Sequence, residues 1–138
     1  RTYQYFVSTK KDIFNQNLYL VLKDLDVERM NDACQNLLGE HDFTSFSKVN
    51  TDTFTNNCDI THAQWKHEGN NFVFTISANR FLRNMVRSIV GTLIDIGTGK
   101  IEVTEIKKII EKKDRCEAGV SVPAKALFLT QVKYPDNI

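Results

Sequence analysis

Residues 71–99, NFVFTISANRFLRNMVRSIVGTLIDIGTG, constrain the fold more than any other part of the chain. In the first third, Phe72, Phe74 and Ile76 alternate with Val73, Thr75 and Ser77. Alternation at period two predicts a strand, and apolar residues on both of its faces predict an internal one. The period then changes. Phe81, Leu82, Met85, Val86, Ile89, Val90, Leu93 and Ile94 fall in pairs four residues apart, the broad apolar stripe of a buried helix. Asn79 is placed to cap its start, and Gly97 with Gly99 to end it.

A second pattern runs along the same helix. Arg80, Arg83 and Arg87 are three and four residues apart and share one ridge. Such a ridge is ordinarily a solvated face. Arg87 sits at the edge of the apolar stripe, where a half-buried guanidinium requires a carboxylate or phosphate partner. Gly91, one turn on, removes side-chain bulk, so another backbone or a ligand can approach there.

The rest of the chain sets bounds. With 138 residues, 41% of them hydrophobic and 25% charged, it suits one globular domain with a real core. No apolar run is long enough to span a bilayer, and the start has no signal-peptide pattern. The first residue is Arg1 and not methionine, which reads as a processed chain or a piece of a longer one. The net charge of +1 argues against a strongly basic nucleic-acid module, although Lys107, Lys108, Lys112, Lys113 and Arg115 cluster locally. Cys34, Cys58 and Cys116 have neither disulfide nor metal-ligand spacing with each other or with His41, His62 and His67. No metal or cofactor is expected, and the cysteine usage suits a reducing, cytoplasmic compartment.

In chain order, strands are expected over 2–8 and 18–23, then a helix capped by Asp26, stapled by Leu25 and Met30 and stopped at Gly39. Asp42 is read as the cap of a short helical turn carrying Phe43 and Phe46. A loop over 48–57 leads to strands over 58–67 and 72–78, the arginine-bearing helix, a helix over 104–113 capped by Thr104, and a last strand over 126–134. This order predicts an α+β fold, a mainly antiparallel sheet with helices packed on one face. Taken alone, the residues stop at such a domain with an arginine ridge and aromatics fit for stacking on bases, a non-catalytic RNA- or protein-binding module.

Four ordered segments carry a resemblance. FLRNMVRSIVG over 81–91 resembles the motif that marks the C-terminal half of the TruA family of tRNA pseudouridine synthases. RTYQY at the start, GEHDFTSFS over 39–47, and PAKALFL over 123–129 with the YP at Tyr134 and Pro135 resemble three further family segments. Ala126 stands where the family usually has glycine, and 51–59 lacks an arginine often found near that strand.

The resemblance implies two similar α+β halves with an active cleft between them, acting on uridines 38, 39 and 40 of the tRNA anticodon stem-loop. It implies no cofactor and a homodimer. The family's nucleophilic aspartate lies in an Arg-Thr-Asp motif of the N-terminal half, which this chain does not contain. Three matching positions carry roles over. Tyr3 would stack on the target uracil and take the C5 proton, Arg87 would pair with the catalytic aspartate, and Leu127 would exclude water beside the base. Without the resemblance, Tyr3 is a core tyrosine on an edge strand and Leu127 is ordinary core. Arg80, Arg83, Lys107 and Lys108 are the expected RNA contacts.

Overall fold

A computed structural model describes residues 1–11, 17–48, 55–114 and 118–131. Arg115, Cys116, Tyr134, Pro135 and most of the loop over 48–57 lie outside the described residues. The strands are β1 (Thr2–Ser8), β2 (Tyr19–Leu20), β3 (Gly39–Asp42), β4 (Asn57–Glu68), β5 (Asn71–Ala78) and β6 (Leu127–Gln131). The helices are α1 (Val27–Cys34), α2 (Met85–Gly97) and α3 (Glu105–Lys112). Among the described residues, no helix is long and apolar enough to cross a membrane.

The strands form one sheet in the order β2-β1-β5-β4-β3, with β6 also paired to β1. β5 is internal as the alternation requires, antiparallel to β1 on one side and to β4 on the other. The far edge of β1 is shared: β6 runs antiparallel along Thr2–Tyr5, and β2 runs parallel beside Val7 and Ser8. Apart from this short parallel pair, the described pairings are antiparallel.

One core holds the molecule together. Tyr5, Ile60, Trp65, Phe74 and Ile76 from one sheet face meet Met30 and Leu37 of the α1 region, Met85, Ile89 and Leu93 of α2, and Ile106 of α3. Helices therefore cover one face only. The opposite face carries polar cross-strand pairs, Thr2 with Ser77 at 2.8 Å and Gln4 with Thr75 at 3.2 Å. The free outer edge of β4 is capped by α1. Asn31 donates to the Trp65 carbonyl at 3.2 Å and accepts from the Trp65 N–H at 2.8 Å, replacing a strand partner.

Several local expectations hold. Asp26 caps α1 by accepting from the Arg29 N–H at 3.2 Å. Asp42 caps the turn Thr44–Phe46 by accepting from the Thr44 N–H at 2.9 Å. Cys34 is fully buried as a small hydrophobe.

Others are corrected. The strand expected over 18–23 shrinks to Tyr19–Leu20, and Leu22 projects into solvent at 79% exposure, because among the described residues no neighbouring strand continues past Ser8 to pair with it. Residues 39–42 form β3 against β4, where the sequence suggested only a helix stop and a cap. Thr104 lends α3 no side-chain cap. The arginine-bearing helix begins at Met85, not after Asn79. Asn79 instead accepts from the Asp59 N–H at 2.8 Å, prolonging the tie between β4 and β5.

Candidate active cleft

The late start of α2 decides the site. Residues 79–84 are irregular, and Asn84 takes φ 68°, a left-handed conformation that asparagine tolerates better than most residues. Its side chain does not cap the helix but donates to the Ser121 hydroxyl at 2.6 Å. The continuous ridge of Arg80, Arg83 and Arg87 therefore does not form. Arg87 lies in the first turn of α2, while Arg83 and Arg80 precede it.

Gly91 meets a backbone, as its missing side chain allows. A Cβ built there would lie 3.1 Å from the Val120 carbonyl carbon and closer still to its oxygen. The segment over 118–122 thus lies across α2 as a strap. The Gly119 N–H donates to Thr92 Oγ1 at 2.9 Å, and the Val122 N–H donates to the Arg87 carbonyl at 3.2 Å. In return Arg87 Nε donates to the Val122 carbonyl at 2.7 Å. One edge of the guanidinium is thereby fixed, leaving its two terminal nitrogens to address the space in front. Arg87 is half-buried, and among the described residues no carboxylate lies within ion-pair distance of it.

The strap also reaches β1. Tyr5 donates its hydroxyl to the Pro123 carbonyl at 2.7 Å. Burial, reinforced by the neighbouring Tyr19, pushes the Tyr5 phenol well above its ordinary range, while Arg87 pulls the other way.

In front of Arg87 opens a cleft of about 370 Å³. Tyr3 reaches it from β1, where the ladder with β6 shifts register between Thr2 and Tyr3. Such bulges turn a side chain out of its regular direction. The half-buried Tyr3 ring packs edge-on against Phe81, centroids 5.2 Å apart and planes at 84°. Leu127, the first residue of β6, supplies an apolar patch of wall. Ala126 before it is fully buried in the turn Ala124–Ala126, so a methyl group fits where the family usually has glycine.

Tyr3, Arg87 and Leu127, as far as 124 positions apart in sequence, thus line one cleft, and Arg83 joins them. Arg80 does not line it; its guanidinium donates to the Thr55 and Asn57 carbonyls, both at 3.0 Å. Lys107 and Lys108 stand exposed on α3 outside the cleft wall, with Lys108 3.3 Å from Glu105. Arg1 and Lys48, which line the cleft, and the strap carry no site role in the sequence analysis. Lys48 follows the turn Thr44–Phe46 and lines the cleft, its N–H donating to the Arg83 carbonyl at 3.0 Å. The strap carries no helical or strand periodicity that would announce it; Gly91 signals a close approach but not the segment that makes it.

A one-sided α+β domain with an aromatic, cationic cleft at one end of its sheet defines the class. The comparisons with known proteins are specific. The family model for tRNA pseudouridine synthase matches residues 33–135. A tRNA pseudouridine synthase A of Parabacteroides distasonis is 56% identical over 139 residues, covering 100% of this chain and 55% of the relative. That of Bacteroides thetaiotaomicron is also 56% identical, over 142 residues and 53% of its own length. The Francisella tularensis subsp. novicida protein of the same name is 35% identical over 139 residues. The chain belongs to the tRNA pseudouridine synthase family. It spans about half the length of the curated relatives it matches.

Proposed function

We propose that this chain is the C-terminal half of a tRNA pseudouridine synthase that isomerises uridines 38, 39 and 40 in the anticodon stem-loop. The observation that carries the reading is the meeting of Tyr3, Arg87 and Leu127 around one cleft from β1, α2 and β6. In the reaction the target nucleotide leaves its stack, the C1′–N1 bond breaks, the uracil turns, and C5 joins C1′ as its proton departs. Tyr3 stacks on the base and takes the C5 proton. Leu127 keeps water from the opened bond. Arg87 pairs with a catalytic aspartate contributed by the upstream half.

The geometry of Arg87 supports that pairing. Its half-buried guanidinium is held by one edge on a neutral carbonyl, and a second edge faces the cleft. A carboxylate arriving from another domain would be kept ionised and oriented by such a fork. Arg83 contacts RNA within the cleft, and Arg80, Lys107 and Lys108 serve as outlying contacts for a longer substrate. The protein works in the cytoplasm as a homodimer, each subunit carrying both halves.

The test is tritium release from tRNA labelled at uridine C5, with the chain alone and joined to its upstream half. Release is expected only from the joined protein. Arg87→Ala in that protein should abolish release while tRNA binding largely survives. Wild-type turnover by the variant would refute the role of Arg87. Binding without release by the unmutated joined protein would instead favour a non-catalytic RNA-binding module.

A further inference from the structure

Tyr5 is fully buried and does not line the cleft, yet it is tied to what carries each of the three site residues. It lies two residues from Tyr3 on the same face of β1. Its backbone pairs with Leu127 in the ladder between β1 and β6. Its hydroxyl donates to the Pro123 carbonyl at 2.7 Å.

Pro123 is a joint between two segments. Before it, the strap ends at Val122, whose carbonyl accepts from Arg87 Nε at 2.7 Å. After it, the turn Ala124–Ala126 leads directly into Leu127. Consecutive carbonyls thus serve different elements, Val122 bonding to α2 and Pro123 to β1. Pro123 is extended, with φ −60° and ψ 147°, and its ring holds that φ. A short, stiff link therefore separates the atom that Tyr5 fixes from the atom that orients Arg87. Both polar groups of the Val122 backbone bond to Arg87 itself. Without the Tyr5 hydroxyl, Val122 would ride with α2, and the next tie to the sheet would be the ladder at Leu127.

Packing does not require this hydroxyl. Val7, Phe74 and Ile76 fill the surrounding core without polar atoms. A phenylalanine would occupy the same space, and burying a hydroxyl for one hydrogen bond returns little net stability. What the hydroxyl adds is direction.

We propose that Tyr5 is a positioning residue whose hydroxyl sets the carbonyls of 122 and 123 between β1 and α2 and so aims Arg87 into the space beside Tyr3 and Leu127. The proposal rests on the reading of Arg87 as a site residue and places Tyr5 behind it. Gly91 lets the strap approach α2 closely, and Tyr5 holds the strap from the sheet side.

The test uses the full-length protein that carries this chain, with Tyr5→Phe as the variant. Three quantities are read: tRNA affinity, the single-turnover rate of tritium release, and hydrogen exchange at the Arg87 Nε–H by NMR of protein labelled with 15N-arginine. Affinity should stay within about twofold and the rate should fall about 10- to 100-fold, as expected for a displaced site group. Exchange at Arg87 Nε should speed by about tenfold or more, because its acceptor is no longer held. Replacing Tyr5 by 4-aminophenylalanine, which keeps an N–H donor at that place, should restore most of the rate. Asn31→Ala, which weakens the fold at the far edge of β4, should leave the rate and the Arg87 exchange unchanged.

An unaltered rate and unaltered Arg87 exchange in Tyr5→Phe would overturn the proposal. So would a slower rate with unaltered exchange, since Tyr5 would then act on something other than Arg87, or an equal loss of rate in Asn31→Ala. Faster exchange in a protein whose unmutated form releases no tritium would uphold the tie from Tyr5 to Arg87 while refuting the synthase reading.

Discussion

Gly91→Ala tests whether the strap over 118–122 positions Arg87. In an open helix the change should stabilise by about 0.5–1 kcal/mol, since alanine is the better helix former. Here the sign reverses. The new Cβ would sit 3.1 Å from the Val120 carbonyl carbon and inside van der Waals contact of its oxygen. The oxygen must retreat by at least about 1 Å to restore ordinary C···O contact near 3.3 Å. No rotamer change relieves a clash with backbone, so the cost lies at the upper end of overpacking, about 3 kcal/mol. Set against the propensity gain, the net loss is about 2 kcal/mol. In a protein of 150–250 residues that lowers Tm by about 4–8 °C.

Function should suffer more than stability. Moving the strap draws the Val122 carbonyl off Arg87 Nε, now 2.7 Å away, and an ångström of misplacement at such a group can cost about 10²-fold in rate. Gly97→Ala, in the same helix, is the internal control. Its Cβ would meet Met30 Sδ at 2.7 Å and Cγ at 2.8 Å, side-chain atoms of a buried residue, so the change should cost about 1–3 kcal/mol of overpacking while leaving the strap, and hence turnover, intact. Thermal melts and tritium release on the full-length protein read both quantities. A Gly91→Ala protein that melts at or above the unmutated one with full turnover would refute the strap.

Two further outcomes are expected. The fold should weaken in alkali: Tyr5 and Cys34 have native pKa values raised by burial, Cys34 to about 12. Each holds its proton longer when folded, so its contribution is fully present below the unfolded pKa, near 10 for Tyr5 and 9 for Cys34, and is lost as pH rises through the folded value. Tyr5→Phe should cost about 0.5–1.5 kcal/mol at neutral pH by leaving the Pro123 carbonyl without its hydroxyl donor, and should flatten the alkaline loss seen in urea titrations; an unchanged alkaline profile would contradict this. Asn31→Ala should destabilise by about 1–3 kcal/mol and speed amide exchange at Trp65, because both backbone groups of Trp65 lose their partner; unchanged exchange there would refute the edge-capping role.

The sequence by itself determined what local periodicity and motif can encode. The alternation over 72–78 specified an internal strand, and the four-residue spacing after it specified a helix with a buried apolar stripe; that the helix is buried on nearly every side was not legible. Asp26 and Asp42 announced their caps because such bonds reach only two or three residues. The four motif segments pointed to the family and to Tyr3, Arg87 and Leu127 before any geometry was known.

Tertiary structure decided where that helix begins and what its arginines face. The left-handed turn at Asn84 accompanies a bond to Ser121, 37 residues away, and no window along the chain can see that partner. It divides an apparent ridge into Arg80 on the β4 side, Arg83 at the rim and Arg87 under the strap. The same holds for β2 and β3, whose extents are set by the neighbours available to pair with them and not by their own residues. Local pattern fixes which face of an element is apolar. Only closure of the sheet and the strap's crossing at Gly91 bring residues from β1, α2 and β6 to one cleft.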